Sequence, residues 1–346
     1  MSALTAVGTR RTTYEHARRK RISYLLAITG LLLVLATASI AVGVRTIPLN
    51  EVLAGIQGSA EDLEQAVIDK RIVRTVLAIL LGAALGVAGT VMQGVTRNPL
   101  ADPGILGVNM GAALAVVIGI AWFGMYRPGS FVWVGILGAG MAAVFVYVVG
   151  SLGRGGATPL KLALAGAATT VAFSSFISAV VLPRNDIADG VRSWQIGNVS
   201  GATTDNVLTF LPFFLAGTVL CWASARGLNS LALGDDLAAG LGEHVILTRA
   251  AASAGAVILC GAATAMAGPI GFVGLVIPHV VRLMVGVDHR WMMPFSALGG
   301  AALLSAADIL GRVAARPAEI DVGIITALIG GPFFIYIVRK HRVREL

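Results

Sequence analysis

From position 245 to 286 the chain is predominantly apolar for about 40 residues, twice what one helix needs to cross a bilayer. Two passes are predicted there. The break between them is Gly268-Pro269-Ile270-Gly271-Phe272-Val273-Gly274, which carries no charge. Its bare backbone groups need protein or water as partners, because lipid offers none. A chain built around such a break must pack other helices against it.

The rest of the chain repeats the theme. Further apolar runs cover 23–44, 75–95, 105–123, 131–149, 160–182, 207–225, 294–309 and 322–338. With the two passes of 245–286 they make ten spans, an all-α polytopic membrane protein. Composition agrees: 56% of residues are hydrophobic and 13% charged, about half the charged share of a soluble domain. That excludes a cytosolic globular enzyme, a disordered chain and a fibrous repeat. The 43 glycines follow no Gly-X-Y period, so collagen is out. The apolar runs lack the alternation of a membrane β-barrel. Small residues four apart, Gly82 with Gly86 and Gly107 with Gly111, predict close helix packing.

The net charge of +8 sits mostly at the ends. Arg10, Arg11, Arg18, Arg19, Lys20 and Arg21 precede the first span; Arg339, Lys340, Arg342 and Arg344 follow the last. This placement reads as cytoplasmic anchoring under the positive-inside rule, not as a nucleic-acid surface. The organisation is a basic tail over 1–22, a ten-span membrane body over 23–338 and a basic tail over 339–346, with both termini cytoplasmic. The stretch 45–74, with Glu51, Glu61, Asp62, Glu64 and Asp69, is the largest external loop, and 183–206 is external too. Gly153, Gly155, Gly156 and Pro159 form a cytoplasmic turn, and 226–244 is the longest internal loop. Cys221 and Cys260 lie inside apolar runs and read as packing residues, with no metal-ligand spacing around them.

The chain contains no phosphate-binding loop, nucleophile elbow, H-E-x-x-H or paired-cysteine zinc pattern. It therefore does not hold ATP through a phosphate loop. His279 and His289 stand alone and read as structural. One stretch is unusual for a membrane boundary: Met92-Gln93-Gly94-Val95-Thr96-Arg97-Asn98-Pro99-Leu100-Ala101-Asp102-Pro103-Gly104. Pro99 and Pro103 remove backbone donors and force extended geometry before them. Asn98 and Asp102 can cap exposed helix ends. A rigid reverse turn, or an elbow that transmits motion, satisfies that pattern. Asp308 is the one acid placed inside a span, a functional candidate by default. Arg312 at i+4 can neutralise it, which favours a structural ion pair over a proton relay.

The stretch 92–111, with Asn98-Pro99-Leu100-Ala101-Asp102-Pro103-Gly104-Ile105-Leu106-Gly107, resembles the FecCD-type permeases. These are membrane subunits of ATP-binding-cassette importers for iron-siderophores, haem and cobalamin. Further resemblances follow in order: Leu164-Ala165-Gly166, Trp194-Gln195-Ile196-Gly197, Leu231-Ala232-Leu233-Gly234 running to Leu241-Gly242, Gly268 to Leu275 with Pro278-His279, Ala307-Asp308-Ile309, and Gly330-Gly331-Pro332-Phe333. Leu228 to Gly234 and Gly331 to Tyr336 look closest to ferric enterobactin-type permeases.

The resemblance implies a type II importer permease of ten helices in the cytoplasmic membrane of a bacterium. It implies a second permease subunit, alike or different, and two ATPase subunits that hold ATP and Mg. It also implies an extracytoplasmic binding protein that delivers a ferric siderophore. A haem or cobalamin permease of the same family is the alternative; an ion-coupled secondary transporter is the distant one. Gly234-Asp235-Asp236-Leu237-Ala238-Ala239-Gly240-Leu241-Gly242 would be the segment seated on the ATPase, with both acids favouring a helix N-terminus. Arg71 and Arg74, at i and i+3 before span two, and Arg312 would meet acids of the binding protein. The usual Arg-Leu-Pro-Arg is here Arg71-Ile72-Val73-Arg74. The connection near Ala157 to Lys161 would form a cytoplasmic gate.

Overall fold

The computed structural model describes residues 2–43, 62–125, 127–152 and 158–341. Among them run thirteen α-helices and one 3-10 turn. The helices are α1 (Ser2–Ala41), α2 (Asp62–Thr96), α3 (Val108–Phe123), α4 (Pro128–Ser151), α5 (Pro159–Val181), α6 (Asn185–Gln195) and α7 (Thr204–Ala223). They continue with α8 (Ala225–Leu231), α9 (Asp235–Gly240), α10 (Val245–Ala267), α11 (Val273–Val285), α12 (His289–Ala314) and α13 (Val322–His341). The expected positions Glu51, Glu61, Gly153, Gly155, Gly156, Ala157, Arg342 and Arg344 lie outside the described residues.

Among the described residues, seven helices, α1, α2, α4, α5, α7, α10 and α12, are long and apolar enough to cross a membrane. The remaining three expected spans fall on shorter apolar helices: α3, α11 and the Val322–Ile337 part of α13. The break at 268–272 separates α10 from α11, as its glycines and proline require.

Polar flanks that look like loops in the sequence are helical. α2 starts at Asp62 rather than at Thr75, so Arg71 and Arg74 lie within it rather than before it. Helices end where backbone capping ends, not where hydropathy falls. Ile68, fully buried, packs on Ile40 and Ala41 of α1, and Gln65 donates to Asp69 one turn on at 2.9 Å. In 183–206, α6 buries Ile187, Ala188 and Val191 in a cluster with Ala113, Val117, Ile177 and Val181 of α3 and α5. In 226–244 two short helices form, α8 and α9.

α2 is the central pillar: 78% of its apolar window is buried, against 6% for α1. Glycine makes its closest packing possible. A Cβ on Gly82 would stand 2.3 Å from the Gly300 carbonyl oxygen, and one on Gly300 would stand 2.0 Å from that of Gly82. A Cβ on Gly89 would lie 2.0 Å from the Gly274 oxygen, and Gly111 and Gly138 bring α3 and α4 together in the same way. Of the predicted glycines, Gly82, Gly86 (against Ser296) and Gly111 make such approaches; Gly107 does not, and is instead the αL residue (φ 71°) from which α3 starts. Cys221 and Cys260 are free and buried.

Candidate functional site

α2 places two clusters at its opposite ends. From Arg71 to Arg97 the helix rise separates them by about 40 Å.

At the first end, α1 stops at Ala41 with carbonyls that no following turn can satisfy. Arg71 Nη1 donates to the Ile40 and Ala41 carbonyls at 2.9 and 3.1 Å. Arg312 Nη1 donates to the Ser39 and Val42 carbonyls at 2.7 and 3.1 Å, and its Nη2 to Ser39 Oγ at 2.6 Å. Ser39 Oγ in turn pairs with Thr75 Oγ1 at 2.6 Å. Two guanidinium groups thus cap one helix C-terminus, where positive charge is favoured.

The ion pair read from i,i+4 spacing is present. Arg312 Nη2 lies 2.9 Å from Asp308 Oδ2, with both side chains 2% exposed. Arg74, far off in sequence, completes it by donating to Asp308 Oδ1 from Nε at 3.0 Å and Nη2 at 2.7 Å. Its Nη1 reaches Glu319 at 2.7 Å. Arg312 therefore faces inward and presents no free guanidinium to an outside partner; its hydrogen-bonding groups are spent on α1 and Asp308. Arg74, 13% exposed, and Arg71 lie nearer the surface.

Beside this cluster three glycine-bearing segments join. Gly268 (φ 75°) approaches the C-terminal end of α6 so closely that a Cβ would meet the Trp194 oxygen at 1.9 Å. A Cβ on Gly323 would meet the Ile196 oxygen at the same distance. Asn198 N–H donates to the Ala267 carbonyl at 2.8 Å and Gly323 N–H to the Gly197 carbonyl at 3.0 Å. The Asn198 side-chain amide donates to Asp321 Oδ1. Burial pushes the Asp321 carboxyl up, opposed by Arg74, while Glu319 adds to the rise and the Asn198 bond lowers it. A cavity of about 260 Å³ opens here, lined by Ser193, Trp194, Asn198, Ser200, Asn206 and Met266 among others. Asn198, Asp321 and Gly323 were not singled out by the sequence reading; the only local hint was an Asp and a Gly at the mouth of the last span.

At the second end, the stretch after α2 folds as a capped turn. Arg97 itself adopts φ 50°. Asn98 Oδ1 accepts from Leu100 N–H at 3.0 Å. Asp102 Oδ1 accepts from Gly104 N–H at 2.9 Å and so caps the 3-10 turn Pro103–Leu106. The Asp102 carboxyl also feels the Phe272 amide, which sets the Pro99–Pro103 stretch beside the 268–274 break. Burial pushes its carboxyl up, and the two amides oppose that rise. Phe272 takes φ 69°, rare for an aromatic residue. Its ring lies against Gly330, where a Cβ would come within 2.3 Å, and the His279 and Phe333 rings meet edge-on at 5.9 Å. Gly271 has no atom within 4 Å of a built Cβ and makes no such approach. Pro269, in the 268–272 link, is brought beside the α6 turn through its carbonyl, 3.0 Å from a Cβ built on Gly197.

The segment 234–242 forms α9 over Asp235–Gly240, bounded by Gly234 (φ 114°) and Gly242 (φ 83°). Ala238 is fully buried beneath it, while Asp236, Ala239 and Gly240 are exposed and Leu237 and Leu241 are 63% and 69% exposed. Asp235 holds α9 in place. Arg249 Nη1 and Nη2 donate to its two oxygens at 3.0 and 2.9 Å, and Arg97 pairs with Oδ1. The sequence offered Asp235 as a dipole partner only, because Arg97 and Arg249 reach it from other elements. Next to it, Asn229 joins α8 to α12 by donating to Asp288 at 2.7 Å and accepting from His289 N–H at 2.9 Å. His289 packs its ring on Gly94 of α2, a structural role.

The comparisons with known proteins fit this arrangement. The chain is 40% identical over 324 residues to the ferric enterobactin transport system permease protein FepD of Escherichia coli, covering 92% of this chain and 96% of FepD. It is 43% identical over 323 residues to the iron(3+)-hydroxamate import system permease protein FhuB of Bacillus subtilis, covering 92% of this chain and 84% of FhuB. A solved ABC transporter described as of metal-chelate type, in an inward-facing conformation, superposes with a TM-score of 0.78 at 28% identity. That match covers 92% of this chain and 99% of the other. The family model matches residues 31–340, and with relatives this close along nearly the whole length, the chain belongs to the FecCD transport family.

Proposed function

We propose that this protein is the permease subunit of an ATP-binding-cassette importer that moves a ferric siderophore across the bacterial cytoplasmic membrane. Seven long spans and three short apolar helices form a ten-span body, with both basic tails at the cytoplasmic face. Two such subunits, alike or different, enclose the path. The chain catalyses no reaction itself; two separate ATPase subunits bind ATP and Mg.

One observation carries the reading. A short helix with exposed Leu237 and Leu241 is pinned by Asp235 to Arg97 at one end of α2, and the arginine cluster sits at the other end. The first surface fits an ATPase subunit and the second an acidic binding protein, with one buried helix between them. ATP binding and hydrolysis then bias the pair between outward-open and inward-open states. Arg71 and Arg74 serve the binding protein, whose carboxylates compete with Glu319 for Arg74, and Arg312 supports them from below. The connection near Ala157 to Lys161 gates the cytoplasmic side.

The test is reconstitution with the ATPase and binding protein. ATP drives ferric-siderophore uptake and a proton gradient alone does not. Uptake on the gradient alone rejects the proposal. Uptake of haem or cobalamin in place of the siderophore moves the substrate within the family. The structure disfavours ion coupling, since Asp308 is held between two arginines.

A further inference from the structure

The Arg97 end of the bundle carries a feature that neither docking surface uses. An open-sided cavity of about 680 Å³ lies where α7 ends, α8 starts and α12 begins, walled by Trp222, Arg226, Arg290, Trp291 and Pro294. From α1, the Arg21 guanidinium lies 5.3 Å from the centroid of the Trp291 ring, a cation–π contact. Arg226 and Arg290 are exposed, and among the described residues neither side chain has a carboxylate or hydrogen-bond partner. The nearest acid in sequence, Asp288, is engaged with the Asn229 side chain and the Arg290 backbone amide. Two unpaired guanidinium groups beside a third thus face one cavity.

Its surroundings indicate where an anion would come from. On α7, Leu215, Val219 and Trp222 follow at i, i+4 and i+7 and are 58%, 66% and 52% exposed. They form an apolar stripe that runs along a membrane-spanning helix straight into the cavity. Tryptophans at a span end mark the headgroup depth of a bilayer. An anion with an apolar tail can lie along that stripe; a free anion has no use for it.

We propose that this cavity binds the phosphate headgroup of an anionic glycerophospholipid. Arg226 and Arg290 take the phosphate, Arg21 closes the site from α1, and Trp222 and Trp291 flank the glycerol. The lipid links α1, α7, α8 and α12 immediately beside the segment leading to α9.

The test uses the purified full chain in phosphatidylcholine nanodiscs, with a photoreactive phosphatidylglycerol as probe and no transport readout. Label is expected within 222–226 and 290–294. Phosphatidylglycerol retained in native mass spectra should fall about thirtyfold in the Arg226→Gln/Arg290→Gln double variant, since each basic residue at a membrane surface contributes about fivefold. The Arg192→Gln control, on α6, should retain it as the wild type does. Label confined to other segments overturns the proposal, as does equal labelling by a photoreactive phosphatidylcholine. Displacement of the label by millimolar inorganic phosphate reassigns the site to a free anion and overturns the lipid. Should the double variant fail to fold, the label map of the wild type decides alone.

Discussion

Asp308 sits between Arg74 and Arg312 with 2% of its side chain exposed, and every charge in that cluster depends on its neighbours. Asp308→Asn removes the buried carboxylate that both guanidinium groups share, which should cost about 3 kcal/mol. The measurement is thermal unfolding in detergent, with Glu319→Gln, at a more exposed position, losing no more than about 1 kcal/mol. The Asp308–Arg312 half of the cluster was readable, because i,i+4 neighbours must meet on a helix. Arg74 and the Ser39 carbonyl were not, because tertiary packing alone brings them there. Asp102 gives a pH prediction. Its folded pKa is raised by burial, so its contribution to stability is full at low pH and is lost as pH rises through that raised value. Asp102→Asn keeps the oxygen that accepts from Gly104 and removes the ionisation. The stability difference, variant minus wild type, should therefore grow in the variant's favour as pH climbs from the ordinary carboxylate range to neutrality. A flat difference would show that Asp102 stays solvated.

Among elements, α9 tests how the proposed ATPase face is held. Asp235 is partly exposed and its ion pairs are worth little to stability, about 1 kcal/mol or less. Yet they fix the helix to α2 and α10. Asp235→Asn should leave the unfolding temperature nearly unchanged while ATP-driven uptake in the reconstituted complex drops severalfold. The exchange of Arg97→Asp with Asp235→Arg should recover part of it. Unchanged uptake in Asp235→Asn would place the anchor elsewhere. The helix itself was legible over 234–242 because an acidic pair follows a glycine. Its true length is set by Gly234 and Gly242, both in conformations only glycine adopts at low cost. The amphipathic α6 and the early start of α2 were hidden because hydropathy marks where lipid begins, not where hydrogen bonding along the helix begins.

At the scale of the whole molecule, ten apolar segments were countable in the sequence, since each needs a helix to satisfy its backbone in lipid. Which helices touch was legible only where glycines four apart announced a close approach. Gly82→Ala tests one of these contacts: the added methyl meets a backbone oxygen that cannot swing aside. A loss of about 1–3 kcal/mol is expected, read as a lower unfolding temperature with the helix content retained. That contact also limits how the protein can move. With Gly82, Gly86 and Gly89 set against Gly300, Ser296 and Gly274, no side chains lie between these backbones to slide or repack. α2, α11 and α12 form a single keel, so any transport stroke must tilt the keel as a whole and leave the bending to the ribs around it.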